Sequence, residues 1–445
     1  MLLRLVAFTL TAAAAPFVGA GAQDRARAVD IPASAFGPSW TGFYVGAGFG
    51  AGALESAVTS TGTVGLTVDR SAGSGILAAV YGGVDYQLLP RALVGILVEG
   101  TWSNIGGSAS AQAPGVSASL TRKADFGWSA LVRAGVLAHP TTLLYLIGGY
   151  SGQNLRTDGT ALAGGALAGF SRNEYFNGWT IGTGVETRLG GGWSTKLEYR
   201  YTQFESKAAP GTSFVVQPTT HTARVGLTYK FGSFGDDAAA GVAGESPARD
   251  WTGIYLGAGA GASASINRLD ASFGNASSSL DAGGHALLGT VFAGYDFHVA
   301  PRLVLGVLGD LTWTGPQSLQ TLNAGGGTFT ITSRTNMSWD ALARVGFLPS
   351  PSTLLYAAGG YTGEHVTTTA SASVGGFNAS ATQDDVVNGW TVGPGVETVI
   401  FGGWTTRLEY RYSRFERKAV TAGTSVQPSM HTVRAGLAYK FGAGK

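Results

Sequence analysis

Sixteen charged residues stand at matched places in the two halves of this 445-residue chain, and their types and spacing bear most directly on chemistry. The first half offers Asp85, Glu99, Glu186 and Glu198 against Arg133, Lys196, Arg200 and Arg224. The second offers Asp296, Asp310, Glu397 and Glu409 against Arg344, Arg407, Arg411 and Arg434. Paired carboxylates are what glycoside hydrolysis needs, but each acid here has a base nearby in the pattern, which favours ion pairing. Arginine can give a carboxylate two parallel hydrogen bonds, and an ionised group away from water is costly without a partner. The four-to-four match in each half predicts closed ion-pair networks. Desolvation opposes the attraction, so net stabilisation does not follow from the match.

Other chemistry is weakly signalled. The histidines, His139, His221, His285, His298, His365 and His431, are dispersed, and none has the H-E-x-x-H spacing of a zinc site. His221 and His431 recur at loop ends, where hydrolysis would also need a serine and an acid or amide. A histidine capping a strand at an interface is the plainer reading. His365, in a loop, is the kind of residue that ligates haem, but it stands alone. Gly46-Ala47-Gly48-Phe49-Gly50 and Gly257-Ala258-Gly259-Ala260-Gly261 resemble a dinucleotide fingerprint without the helix or the closing acid. There is no cysteine, so disulfides and thiolate metal sites are excluded. No catalytic, cofactor or metal residue is assigned, and no enzyme activity is expected.

These charges must be held by strands. In the segment 178–207, Lys196, Glu198 and Arg200 alternate with Leu197, Tyr199 and Tyr201, the period of two of a strand with unlike faces. Before the turn at Gly190-Gly191-Gly192, residues Gly182, Gly184 and Glu186 oppose Ile181, Val185 and Leu189. The segment returns almost unchanged at 389–418. Aromatics end the apolar face, the dress of a lipid-facing strand. On this parity Phe43, Val45, Val80, Val84, Ile96, Val98, Val132, Val136, Val225 and Leu227 face outward, and Tyr44, Gly46, Gly48 and the charges face inward. The strand at 143–150 is apolar on both faces. Trp102, Trp128 and Trp179 belong to a girdle at the loop ends, and Tyr86, Trp193, Tyr229 and Phe231 to one at the turn ends. Trp313, Trp339, Trp390, Trp404, Tyr439 and Phe441 repeat them in the second half.

Composition agrees. Charged residues are 13% of the chain, against about 25% in soluble domains, and glycine is 70 of 445. Mean hydropathy is +0.15, yet no apolar run after the start reaches the ~20 residues of a membrane helix. A net charge of +2 without a basic run argues against nucleic acid as a partner. Arg4, an apolar stretch and Ala20-Gly21-Ala22 read as a signal peptide over 1–22, cleaved before Gln23, with a periplasmic spacer at 23–39.

The repeat is long. Trp40 matches Trp251, Trp128 matches Trp339 and Arg133 matches Arg344, all at 211 residues; the offset is 210 from His221 to His431. This is a duplicated domain, 40–231 and 251–441, joined by a flexible linker at 232–250 and followed by a tail at 442–445. Eight strands per copy begin near Trp40, Ile76, Leu93, Trp128, Leu143, Trp179, Trp193 and His221. Short connections alternate with long Ser/Thr/Ala/Gly-rich ones at 50–75, 103–126, 151–177 and 203–220, the habit of outer-membrane barrels. The expected fold is all-β, two tandem eight-stranded antiparallel transmembrane barrels; the alternative is one sixteen-stranded barrel. A barrel of eight strands is filled by its own side chains.

Trp40-Thr41-Gly42-Phe43-Tyr44-Val45-Gly46, the Gly178-Trp179-Thr180 hairpin with Gly184-Val185-Glu186, Leu197-Glu198-Tyr199-Arg200-Tyr201 and the ending Val225-Gly226-Leu227 with Tyr229-Lys230-Phe231 carry a resemblance. Both copies resemble the small porin-like outer-membrane β-barrel surface antigens of alphaproteobacteria, of the OmpA-like membrane-domain type. The resemblance covers nearly all of each copy except the loops. It implies insertion in the outer membrane of a Gram-negative cell after export, contact with lipid, lipopolysaccharide and the assembly machinery, and a structural or surface-interaction role. A diffusion porin for small solutes is the alternative, and haemin or adhesin-type binding through the loops a third. Tandem copies, and Gly442-Ala443-Gly444-Lys445 after Phe441, depart from the family pattern.

Overall fold

The computed structural model describes residues 39–60, 65–68, 70–208, 214–231, 250–324, 327–421 and 423–441. The signal peptide, nearly all of the spacer and linker, and the tail lie outside the described residues. Every described element is a strand. In the first copy these are β1 (Gly42–Ser60), β2 (Gly65–Val68), β3 (Arg70–Leu89), β4 (Ala92–Ser103), β5 (Gly106–Ala113), β6 (Val116–His139), β7 (Thr142–Ala163), β8 (Ala166–Gly190), β9 (Trp193–Phe204), β10 (Lys207–Ala208) and β11 (Phe214–Lys230). The second holds β12 (Gly253–Phe273), β13 (Ala276–Ala300), β14 (Leu303–Thr314), β15 (Gln317–Ala324), β16 (Gly327–Ser350), β17 (Thr353–Val374), β18 (Phe377–Phe401), β19 (Trp404–Phe415), β20 (Lys418–Thr421) and β21 (Thr424–Lys440).

Each copy closes on itself. In the first, antiparallel pairing runs β1–β3–β4–β6–β7–β8–β9–β11 and returns to β1. In the second it runs β12–β13–β14–β16–β17–β18–β19–β21 and returns to β12. The structure thus forms two eight-stranded rings rather than one ring of sixteen. Directly paired residues share a face, so register carries the inward parity around each ring. Glu186 stands opposite Lys196, and Glu198 opposite Arg224. The strand that read as apolar on both faces is settled by its neighbours. Ile147 pairs with inward Arg133 and Leu144 with outward Val136. Leu143, Tyr145 and Ile147 therefore face in, and they join Trp40, Tyr44 and Leu97 in an apolar cluster inside the barrel.

The segments expected to be long loops are instead largely paired strand. β7 and β8 stay in register from Thr142↔Thr187 out to Ala163↔Ala166. They end on Gly164 and Gly165, at φ 57° and 82°, the mirror-image turn that suits a hairpin's twist and that glycine adopts without strain. Toward the hairpin tips both faces meet water, so Ser, Thr, Ala and Gly replace the polar–apolar alternation and the strand signal fades. These extensions form a crown shared by the two rings. β5 pairs with β13 from Ala109↔Leu280 to Gln112↔Ser277, and β2 pairs with β15.

Below the crown the rings touch side by side. Val185, Leu197, Val396, Leu408 and Val433 form one buried cluster with Leu144 and Leu355 against it. The hydroxyls of Thr142 and Thr353, equivalent residues of the repeat, share a hydrogen bond of 2.9 Å. Equivalent residues meet each other, as at a two-fold interface. Outward Leu197, read as lipid-facing, is thereby covered by protein.

Candidate functional site

All sixteen predicted charges point into a barrel. In the first ring they form two tiers. Nearer the short turns, Arg133 donates to Asp85 through Nε at 2.7 Å and again through Nη2, and through Nη1 to Glu186 at 2.7 Å. Lys230 donates to Asp85 at 2.5 Å and to the Trp40 carbonyl at 2.7 Å. Ser194 donates to Glu186 at 2.6 Å. The Arg133 guanidinium lies 4.7 Å from the Tyr44 ring centre and 5.2 Å from that of Tyr145. Trp40, wholly buried, lies at this end. Its indole N–H donates to the Pro140 carbonyl at 3.1 Å, and Arg188 covers it at 4.6 Å.

In the upper tier Arg200 donates to Glu198 at 2.5 Å and to both oxygens of Glu99 at 2.9 and 3.1 Å. Arg224 joins it on Glu99. The Tyr145 hydroxyl donates to Glu198 at 2.7 Å. Lys196 lies 3.7 Å from Glu198 and 3.6 Å from the Tyr81 ring centre. Inward glycines make room for the tyrosines: a Cβ on Gly46 would come within 2.4 Å of the Tyr81 ring, and one on Gly184 within 2.4 Å of the Tyr145 ring.

The second ring repeats the lower tier. Arg344 donates to Asp296 at 2.8 Å and Glu397 at 2.9 Å, between Tyr255 and Tyr356. Lys440 reaches Asp296 and the Trp251 carbonyl, the latter at 2.6 Å. The upper tier differs. Arg411 donates to Asp310 at 2.7 Å and to Asp340 at 2.6 Å, with Glu409 2.5 Å from its Nε. Arg434 donates to Asp310 at 2.8 Å. Arg407, expected to complete the four-to-four match, forms no ion pair among the described residues. Its guanidinium rests 3.2 Å over the Phe292 ring.

The match of acids to bases missed Lys230, Lys440 and Asp340. Parity could have found them: Lys230 continues the inward series of Arg224, Gly226 and Thr228, and Asp340 that of Leu342 and Arg344. Nothing in spacing marked Trp40 and Trp251 as the wholly buried residues they are.

The structure groups the aromatic residues near the two ends of the strands. At the loop end Trp102 packs on Phe126, Trp128 on Tyr150, Trp179 on Tyr201 and Trp390 on Tyr412, at 5.5–5.7 Å. At the turn end Trp193 and Phe231 pack on Tyr229, and Trp404 and Phe441 on Tyr439, at 5.0–5.4 Å. Tyr86 and Trp313 are exposed on the outer face, and Trp339 half-buried. On β9 the two belts are eight residues apart (Trp193 to Tyr201). That is ~26 Å along a strand at ~3.3 Å per residue, or ~20 Å of membrane depth at a tilt of ~40°. His221 and His431 are not strand caps at loop ends. They lie within β11 and β21 in the seam between the rings, joined to Tyr199 at 2.8 Å and Tyr410 at 2.7 Å. His365 lies in β17, 3.5 Å from the Asn336 side chain.

Sequence comparison agrees with this architecture. A family described as "outer membrane protein beta-barrel domain" matches twice, over residues 10–231 and 238–441. The 31 kDa outer-membrane immunogenic protein of Brucella melitensis is 30% identical over 209 residues, 43% of this chain and 84% of that protein. The 22 kDa outer membrane protein of Rhizobium leguminosarum is 32% identical over 175 residues, 39% of this chain and 68% of that protein. Among solved structures, Neisserial surface protein A is 19% identical and covers 43% of this chain and 98% of its own, with a TM-score of 0.22. The chain therefore belongs to the outer membrane protein beta-barrel family, and is an outer-membrane protein that carries the family's domain twice.

Proposed function

We propose that this protein has a structural and surface-interaction role in the outer membrane, with both barrel interiors closed to solutes by their ion-pair tiers. The observation that carries the reading is the lower tier: Arg133 is locked to Asp85 and Glu186 across the lumen, between two tyrosine rings, above a buried tryptophan. An eight-stranded ring leaves space only for such side chains. Residues 40–231 and 251–441 act as the two domains on this reading, with lipid and lipopolysaccharide around them and the assembly machinery as their route in. What a ligand would meet is the crown, which holds a cleft of about 600 Å³ between Ala111, Val116, Ala271, Ser277 and Thr424. Catalysis has no part in this reading. Planar-bilayer recording of the purified chain tests it. The expected result is a flat baseline; stable nanosiemens-scale steps would overturn closure and favour a diffusion porin.

A further inference from the structure

The seam between the rings contains a polar group that its surroundings do not call for. Glu55 on β1 faces outward, two residues beyond Ala53 on the same face, where a barrel strand normally shows lipid an apolar side chain. It is 1% exposed because the second ring covers it. Its carboxylate meets His285 of that ring, Oε2 to Nδ1 at 2.8 Å. His221 stands beside them. It pairs with Ala53 across β1 and β11, while Glu55 pairs with Thr219, so His221 and Glu55 are diagonal neighbours on one face. The His221 and His285 ring centres are 5.0 Å apart. One ligand atom from each of Glu55, His221 and His285 lies within 4.8 Å of the others.

We propose that Glu55, His221 and His285 bind one divalent transition-metal ion of the zinc class, which ties the two barrels together at their outer rim. Two imidazoles and a carboxylate suit zinc and its neighbours rather than calcium or magnesium, which prefer all-oxygen sites. Tetrahedral coordination at ~2.0–2.1 Å puts ligand atoms ~3.3 Å apart, so side-chain rotations that close the present separations suffice. The Tyr199 hydroxyl holds His221 Nδ1 at 2.8 Å, so the metal takes Nε2, and the ring is oriented by an outer partner as metal-bound histidines usually are. The height is favourable: His221 is opposite Tyr201, whose ring packs on Trp179 of the girdle, so the site is at the membrane boundary. The His285 side chain, 30% exposed, gives a way in.

The repeat fixes the stoichiometry. Adding 211 to 55 gives Ile266, and subtracting 211 from 285 gives Ser74, so the pseudo-symmetric position lacks both a carboxylate and a second imidazole. One site per chain follows, and neither copy alone can build it.

The test is titration of the full chain, folded in detergent, with Co²⁺ as a spectroscopic stand-in and Zn²⁺ as competitor. Glu55→Ile and His285→Ser install the residues the sister copy carries at the same register; His221→Ala removes the third ligand, and His365→Ala serves as a control. Heat-modifiable migration on gels verifies that each variant stays folded. The expected result is one Co²⁺ per chain with the intense visible bands of tetrahedral nitrogen–oxygen coordination, displaced by Zn²⁺. Each ligand variant should bind at least ~10-fold more weakly, and the control should bind unchanged. Substoichiometric binding in metal excess, or binding that survives all three ligand substitutions, would overturn the site.

Discussion

At matched positions the second barrel carries Asp310 for Glu99, Asp340 for Ser129, Arg407 for Lys196 and Phe292 for Tyr81, while the ion-pairing residues of the lower tier, Asp85, Arg133, Glu186 and Lys230, recur as Asp296, Arg344, Glu397 and Lys440, with Thr405 for Ser194 and Val399 for Arg188. The lower-tier geometry is correspondingly alike: Arg133 to Asp85 is 2.7 Å and Arg344 to Asp296 is 2.8 Å. The upper tiers differ in their charge balance: the first sets two acids, Glu99 and Glu198, against Lys196, Arg200 and Arg224, and the second sets Asp310, Asp340 and Glu409 against Arg407, Arg411 and Arg434. In the first ring one long acid, Glu99, serves Arg200 and Arg224. In the second, a shorter Asp310 shares Arg411 and Arg434 with Asp340. Tyr81 shares a hydrogen bond with Thr228 at 2.9 Å, which Phe292 cannot make, and Arg407 spreads its charge over the ring instead. The lower tier depends on one planar fork reaching two acids between two rings. The upper tier needs only enough opposite charge within reach, so it tolerates rearrangement.

The largest expected effect tests the likeness. Arg133→Ala and Arg344→Ala each leave a buried glutamate, Glu186 or Glu397, without its ion-pair partner and take the fork from Asp85 or Asp296, which keep Lys230 and Lys440, and breaking a buried pair from one side costs about 3–5 kcal/mol. Urea unfolding of the purified protein, followed by tryptophan fluorescence, should show equal losses; a clear inequality would break the equivalence of the two lower tiers.

A smaller effect tests the unlikeness. Asp340→Ser puts the first ring's residue into the second and takes an acceptor from Arg411 and Arg434, at a cost of about 1–3 kcal/mol in the same assay. Adding Asp310→Glu rebuilds the arrangement of the first ring and should recover more than half of the loss. No recovery would mean that the two upper tiers are not interchangeable solutions.

The smallest effect is in the crown. Asp270 of the second copy meets Arg417 and Arg268, where the first copy has Thr59 in place of the acid. Partial burial acts to raise its carboxyl pKa, but the Ser279 hydroxyl and the two arginines outweigh this and hold it below the ordinary value. A lowered folded-state value means the contact stabilises above the unfolded pKa of ~3.9 and is lost as pH falls through the folded one. Hydrogen exchange in β20 should therefore rise in acid relative to neutral pH once corrected for intrinsic rates, and Asp270→Asn should abolish that difference. An unchanged pH response in the variant would place the pin elsewhere.

Much of the fold was legible because a strand's period of two carries over to its neighbours. Inward Glu186, Lys196 and Glu198, outward Val132 and Val136, and the belts at Trp179 and Trp193 all follow from parity and aromatic placement. The hairpins of the crown were not legible. At the hairpin tip, residues 160–173, water bathes both faces, so no alternation distinguishes a strand from a loop. Nor was the pairing of particular charges: Arg407 and Arg200 look alike in sequence, but Arg200 meets Glu99 and Glu198 while Arg407 lies over the Phe292 ring.

The amino-acid order alone determined that the chain is duplicated, that its ribbons have one charged and one greasy face, and that each copy carries acids and bases together on its inward face. Only the tertiary structure decided that each copy closes separately, that Leu197 and Leu408 meet one another rather than lipid, and that Glu55 of one copy finds His285 of the other. The reason is physical. Hydrocarbon and a neighbouring barrel are equally apolar, so an outward leucine carries no mark of which one it touches, and contacts 230 residues apart in sequence exist only once both rings stand side by side.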